Sequence, residues 1–238
     1  MPDFSTRSLL PEAMDQDDVS IDEIHLALKD IDVINRRLGG YNVILKALNQ
    51  LQWPGRTITI LDLGCGGGDT LRAIATWAAN KNKQVKLIGL DRNPIMTEYA
   101  GAHSIAFSNI EYITMSVFDP KLMDIRADIT MNSLFCHHFT DDELVNLLRI
   151  MHRLASYSVI INDLDRNWFA YYSIKMLTAL FSKSELVKYD APLSVARSLT
   201  RQEWETILQR SGIVNYSLRW KWAWRWQIII PKAVDYAG

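Results

Sequence analysis

Cysteine is scarce in this 238-residue sequence: Cys65 and Cys136 are the only two. Two cysteines cannot build a disulfide scaffold or a cysteine-rich zinc site. Charge of one sign is lacking as well, since 26 Lys and Arg face 27 Asp and Glu for a formal net charge of −1. That balance argues against nucleic acid as a partner, because no broad basic surface can form. No uncharged apolar run reaches the roughly 18 residues that a membrane-spanning helix needs. The first twenty residues are acidic and lack a basic-then-apolar secretory pattern, so a cytoplasmic location is the expectation. What the sequence has in quantity is apolar surface, with 48% hydrophobic residues and eight tryptophans. It can bury a full core, and its length suits one α/β domain with an elaboration. Half of the aromatic residues fall within 168–226, which reads either as core packing or as an aromatic-walled pocket.

Three regions follow from the pattern. Residues 1–19 read as a flexible arm. Residues 20–52 form an N-terminal helical cap, opened by the capping box Ser20-Ile21-Asp22-Glu23 and punctuated by Gly39-Gly40 and Trp53-Pro54-Gly55. Residues 53–238 alternate short β-branched runs with helices: strands at 57–63, 86–91, 110–116, 128–134 and 158–164. Strands separated by helices imply βαβ crossovers and a parallel sheet covered on both faces. Thr140-Asp141-Asp142-Glu143 and Thr200-Arg201-Gln202-Glu203 are further capping boxes. Between them, residues 168–181 are apolar nearly all round, and 165–199 read as a helical lid. The chain closes on a hairpin pattern, 214–220 with 224–230, turning near 221–223.

The glycine loop Asp62-Leu63-Gly64-Cys65-Gly66-Gly67-Gly68-Asp69 lies at the first strand-to-helix junction. Glycines there permit positive φ and let backbone N–H groups approach a ligand. It has no Gly-Lys-Ser/Thr ending, so it is not a P-loop. A dinucleotide fingerprint wants glycine where Asp69 stands, and a carboxylate at a helix N-terminus repels pyrophosphate. The ligand should therefore lack phosphate and carry a cationic group. Asp91, ending the second strand, can accept two hydrogen bonds from a ribose diol. Asp119, after Val117-Phe118, can accept an adenine amino group beside an apolar ring.

With these motifs in order, the sequence resembles the class I S-adenosylmethionine-dependent methyltransferases over roughly residues 57–230. The resemblance implies an α/β, Rossmann-like, doubly wound sheet of seven strands with the last antiparallel, here with the N-terminal helical cap and a helical insertion after strand five. It implies S-adenosyl-L-methionine as cofactor and S-adenosyl-L-homocysteine as product. Carried over residue by residue, Asp62, Gly64, Cys65, Gly66 and Asp69 would hold the methionine part. Asp91 and Arg92 would serve the ribose, Phe118 and Asp119 the adenine, and Asn132, Ser133 and Leu134 the cofactor floor. Stretches 34–41 and 190–195 look like a bacterial subgroup associated with polyketide phenols and quinones. That subgroup's histidine after the strand-five Asp-Leu is Asp165 here, which puts a shared acid–base arrangement in doubt.

In an open α/β sheet the ligand crevice lies at the C-terminal strand ends. His137 and His138 occupy that edge after strand four, and Asp163 after strand five. If the acceptor is a hydroxyl, a base must take its proton, and His137, oriented by Asp163, is the first candidate, with His138 beside it. Arg36 and Arg37 read as a solvated helix face, with the cofactor carboxylate as the other option. No metal is expected, because the two histidines are adjacent and no carboxylate spacing completes a set. Tyr41, Trp168, Tyr171, Tyr172 and Met176 are the candidate walls for an apolar or aromatic small-molecule acceptor, whereas the tryptophans at 220–226 read as sheet packing. The insertion also offers a homodimer interface or a lipid contact. The expected function is methyl transfer to a hydroxyl of an apolar, phenolic small molecule. The alternatives are an N- or C-methyltransferase of the same fold and a catalytically silent binding or oligomeric partner protein.

Overall fold

The computed structural model describes residues 4–16 and 19–232. Strand β1 (Ile58–Leu63) is buried along almost its whole length, as a central parallel strand must be when helices cover both faces. It pairs in parallel with β2 (Val85–Asp91) and β4 (Ala127–Ser133). Strand β3 (Ile110–Thr114) extends one side and β5 (Ala155–Leu164) the other, both in parallel. Strands β6 (Ser217–Lys221) and β7 (Arg225–Pro231) close the sheet as a hairpin, with β7 antiparallel to both β5 and β6. The order is β3-β2-β1-β4-β5-β7-β6, the seven-stranded α/β sheet expected.

Two apolar layers sandwich it. Helices α2 (Gly40–Gln50) and α3 (Asp69–Asn80) pack Ile44, Leu48, Leu71 and Ile74 on one face. On the other face lie α5 (Asp141–Leu154) and α8 (Arg201–Arg210), with Leu144, Leu148, Trp204 and Ile207. All three capping boxes form, at the starts of α1 (Ile21–Arg37), α5 and α8, each Ser or Thr hydroxyl accepting the N–H three residues on. Helix α4 (Pro94–His103) starts on proline at its first turn.

The insertion after β5 is two helices, α6 (Trp168–Phe181) and α7 (Glu185–Arg197). An all-apolar helix should be covered by something, yet Trp168, Phe169, Tyr172, Leu180 and Phe181 of α6 stay exposed. One stripe turns inward, Ala170, Ser173, Ile174, Leu177 and Thr178, spaced as one helical face, and Met176 beside it also reaches the cavity.

The N-terminal segment, expected to be a free arm, lies docked against the body wherever it is described; residues 1–3 and 17–18 lie outside the described residues. Ser8 N–H donates to the Ala196 carbonyl, and Arg7 reaches the carbonyls of Arg197, His137 and Phe139. Asp190, on α7, accepts the N–H groups of Ala13 and Met14. The arm carries its own polar anchors, and these hold it to the body.

Candidate active site

The strand order reverses between β1 and β4, and a parallel sheet opens a crevice outside the strand ends at such a switch point. A cavity of about 1240 Å³ occupies that place, bounded by the ends of β1, β2 and β4, by α1 and by the inward stripe of α6. Single small-ligand pockets run to about 1,000 Å³, so this one has room for a nucleoside cofactor and a second molecule.

One end of the cavity is the glycine loop. Gly64 and Cys65 donate their N–H groups to the Leu90 carbonyl, which fastens the loop to β2. Gly66 N–H donates to Asp91 Oδ2 at 2.9 Å, and Asn93 N–H to Asp91 Oδ1 at 3.0 Å. A β-carbon on Gly66 would meet nothing within 4 Å, so the backbone there faces open cavity. Beneath the loop, Asp62 is buried, and its Oδ1 has no hydrogen-bond partner. Burial, then the neighbouring Asp91 charge, pushes its pKa up to about 8. Burial also raises Asp69 to about 6, although Arg72 pairs with it. Three acids near an open backbone cradle suit a ligand that brings an amine or a sulfonium and repel one that brings phosphate.

The Asp62 shift has a measurable consequence. A carboxyl whose folded pKa lies above its unfolded value of about 4 stabilises the fold below that value, and the contribution is lost as pH rises toward about 8. Asp62→Asn, which stays neutral, is expected to flatten this decline. Urea melts at pH 5.5 and 8.5 should show the wild type losing at least about 1–2 kcal/mol more than the variant across that interval. Parallel slopes would rule out a raised Asp62.

The remaining cofactor candidates divide. Arg92, Phe118, Ser133 and Leu134 line the cavity. Asp119 does not: its carboxylate caps the short 3-10 turn Pro120–Asp124, accepting Lys121 N–H at 2.9 Å. An aspartate before proline is a ready N-cap, and that local bond engages its Oδ1. Asn132 is fully buried below the floor, where its amide meets Met151 sulfur and its oxygen accepts the Cys136 thiol.

The catalytic candidates form a cluster that the sequence did not show whole. His137 and His138 sit on a short 3-10 turn (Cys136–His138), rings side by side with centroids 4.5 Å apart. His137 Nδ1 donates to Asp163 Oδ1 at 2.7 Å, and Asp163 is itself fully buried. The other ring nitrogen, Nε2, faces Glu12 Oε1 of the N-terminal segment at 3.5 Å. His138 repeats the pattern, with Nδ1 on Asp15 Oδ2 at 2.9 Å and Nε2 at 3.8 Å from Glu12 Oε2. Burial works against charge on His137, but Asp163 and then Glu12 override it and hold its pKa at about 10. With its pKa held at about 10 by the two carboxylates, His137 carries its proton near neutral pH and is no free base in this arrangement. Glu12, His137 and His138 line the cavity, whereas Asp163 stands behind His137 as its positioning group. Glu12 was missed because nothing local marks it; only the docking of Arg7, Ala13 and Met14 brings it in.

The acceptor walls also differ from expectation. Met176 lines the cavity, but Trp168, Tyr171 and Tyr172 do not, because they lie on the other faces of α6. Tyr171 packs edge-on against Phe4, and Tyr41 gives its hydroxyl to Asp32 at 2.6 Å. Arg36 takes the same Asp32 and faces solvent. The hairpin turn, by contrast, brings Trp222, Ala223 and Trp224 to the cavity, so the late tryptophans are partly pocket wall. Trp220 and Trp226 pair across the hairpin as sheet packing. Arg225, also unforeseen, is buried at the cavity wall. Its Nη2 donates to Asn35 Oδ1 at 3.1 Å, while Nε and Nη1 have no partner. Burial lowers its pKa to about 10, and the unpaired donors suit an anionic group on a ligand.

Residues 60–156 match the family model of the methyltransferase domain. Solved structures share the fold. The plantazolicin methyltransferase BpumL, solved with S-adenosylhomocysteine, is 21% identical, with 84% of this chain and 80% of that one covered at a TM-score of 0.59. An O-methyltransferase family protein from Burkholderia thailandensis is 16% identical, with coverage of 86% and 59% and a TM-score of 0.60. The CurJ carbon methyltransferase is 20% identical, with coverage of 79% and 51% and a TM-score of 0.56. The chain thus spans only about half to three fifths of the length of the last two. No curated protein sequence matches it. The matched segment contains the glycine loop, the Asp91 strand end and both histidines, on a sheet ordered as described; over residues 60–156 the chain is similar to the methyltransferase domain, and its fold is the one these methyltransferases share.

Proposed function

We propose that this chain transfers the methyl group of S-adenosylmethionine to a hydroxyl of an apolar, phenolic small molecule. The observation that carries this reading is one continuous cavity with two unlike ends. One end is the glycine loop with Asp91. The other is walled by Ile24, Leu28 and Ile31 of α1 and Ile174 and Leu177 of α6, with Glu12, His137 and His138 as its polar corner. Bound at the loop, the cofactor supplies an electrophilic methyl group on a sulfonium. The chain's own part is alignment and exclusion of water, since in-line displacement is governed by geometry. Asp91 holds the loop and offers its remaining lone pairs to a ribose diol. Asp69 and Asp91 provide the negative field that favours a cationic ligand, and the buried Asp62 carboxyl adds its charge once a cation lies beside it. The apolar walls select an acceptor with little charge, and the hydroxyl proton passes to the polar corner through His138, since Asp163 and Glu12 hold His137 protonated.

The test is incubation with isotopically labelled cofactor and matched phenols, aliphatic alcohols, amines and activated carbon acids, read by mass spectrometry. Label on phenolic oxygen supports the reading. Label only on nitrogen or carbon transfers the same fold to another acceptor, and absence of binding to either cofactor form identifies a silent partner protein. Pairing of two copies through the exposed face of α6 belongs to the same reading, and a monomer in sedimentation at working concentration would remove it. Among the described residues no helix is long and apolar enough to cross a membrane.

A further inference from the structure

Glu12, His137 and His138 each offer one ligating atom, and the three atoms lie within 4.8 Å of one another. Three features of that cluster are those of a metal site. First, each histidine has its Nδ1 on a carboxylate, Asp163 for His137 and Asp15 for His138. That contact fixes the ring and turns Nε2 inward, the outer-shell arrangement that metal-bound histidines share. Second, both inward Nε2 atoms face the two oxygens of one carboxylate at 3.5 and 3.8 Å. These separations are too long for good hydrogen bonds. They approach the spacing of neighbouring ligands on a tetrahedral ion, about 3.4 Å when each lies about 2.0–2.1 Å from it. Third, the turn that carries both rings is held in place by backbone bonds: Arg197 donates to the His137 and His138 carbonyls and Arg7 to the His137 carbonyl.

We propose that Glu12, His137 and His138 bind one divalent transition-metal ion of the zinc or cobalt type. Sequence adjacency of the histidines is no obstacle, because the 3-10 turn sets the rings side by side, tilted by 30°. The carboxylate comes from the N-terminal segment, so the site exists only when that segment is docked. Two imidazoles and one carboxylate select a borderline cation over calcium or magnesium, which prefer all-oxygen sets. Three protein ligands leave one position open, and since all three line the cavity, that position faces it. An acceptor oxygen is the ligand class that fits there, a step that rests on the hydroxyl reading above; the metal binding itself does not.

Chelator-stripped full-length protein titrated with Co²⁺, followed by the d–d absorption of the bound ion, tests this. The expected result is one equivalent per chain with the intense visible bands of a four- or five-coordinate site, displaced by Zn²⁺. Glu12→Ala, on a segment outside the core, and His138→Ala, on a partly exposed side chain, should each weaken the affinity by 10-fold or more. Six-coordinate weak bands, no binding, or affinity unchanged in both variants would overturn the proposal. Labelled-methyl transfer by the stripped protein is measured in parallel, so failure of the metal site and failure of the hydroxyl reading are separate results.

Discussion

Asp91→Ala is expected to weaken binding of S-adenosylmethionine and S-adenosylhomocysteine by at least about 100-fold. The reason is double use of one carboxylate. Oδ2 accepts from Gly66 N–H and Oδ1 from Asn93 N–H, so Asp91 shapes the loop and the entry to α4 together. Its remaining lone pairs face the cavity it helps to line, where a ribose diol can donate to them. A hydrogen bond to a charged group contributes about 1.5–3 kcal/mol, and losing two such bonds amounts to a factor of about 10² to 10⁴. Asp91→Asn keeps the shape and one acceptor oxygen and should fall between wild type and alanine. Calorimetry with S-adenosylhomocysteine checks both, with far-UV circular dichroism confirming that the sheet is intact. Asp91→Ala that folds and binds within threefold of wild type would remove Asp91 from the cofactor site and leave it as a loop anchor.

Gly64→Ala and Gly66→Ala are expected to fail in opposite ways, although the two glycines are two residues apart. Gly64 has φ +75°, and a β-carbon there would stand 2.2 Å from the Phe135 ring. Phe135 cannot retreat, because it packs edge-on against Phe139 at 4.8 Å and follows Leu134, itself held at φ 56°. Overlap with a packed ring plus a left-handed alanine should cost about 3 kcal/mol or more, enough to leave the protein largely unfolded or insoluble. Gly66 has φ +49° and nothing within 4 Å of a β-carbon. Alanine there pays only the backbone term, about 1 kcal/mol. The added methyl then projects into space that the cofactor needs, and affinity should fall by at least 10-fold. Thermal melts and calorimetry on the pair separate the two glycines. Full cofactor affinity in Gly66→Ala would show that the loop does not touch the ligand.

What could be read in advance was local. The three capping boxes, the proline opening α4, the buried run of β1 and the glycine loop are patterns within a few residues of one another. Each acts through bonds that the same segment makes. Strand–helix alternation then leaves few topologies, since parallel crossovers are right-handed, and the crevice at the strand ends follows from that. The acids at 62, 69 and 91 were legible because they sit at strand ends or helix starts whose positions the pattern already set. Asp119 is the complementary case: a local cap engages one oxygen of its carboxylate, and the side chain stays out of the cavity lining.

The acceptor side depended on contacts between distant segments. Helix α6 is apolar on every face, so its sequence carries no period to say which stripe turns inward. Packing against α7 chose Ala170, Ser173, Ile174 and Leu177 and left the aromatics outside. Trp224 reached the cavity through the position of the hairpin turn, and Arg225 through pairing with Asn35 near the end of α1. Glu12 meets His137 because Arg7, Ala13 and Met14 dock the chain's first segment. Residue order alone therefore specified the sheet and the glycine-loop end of the cavity, where each bond is satisfied by near neighbours. The packing of separate elements specified the Glu12–His137–His138 corner, because buried charges find partners by proximity in space and no spacing along the chain records it.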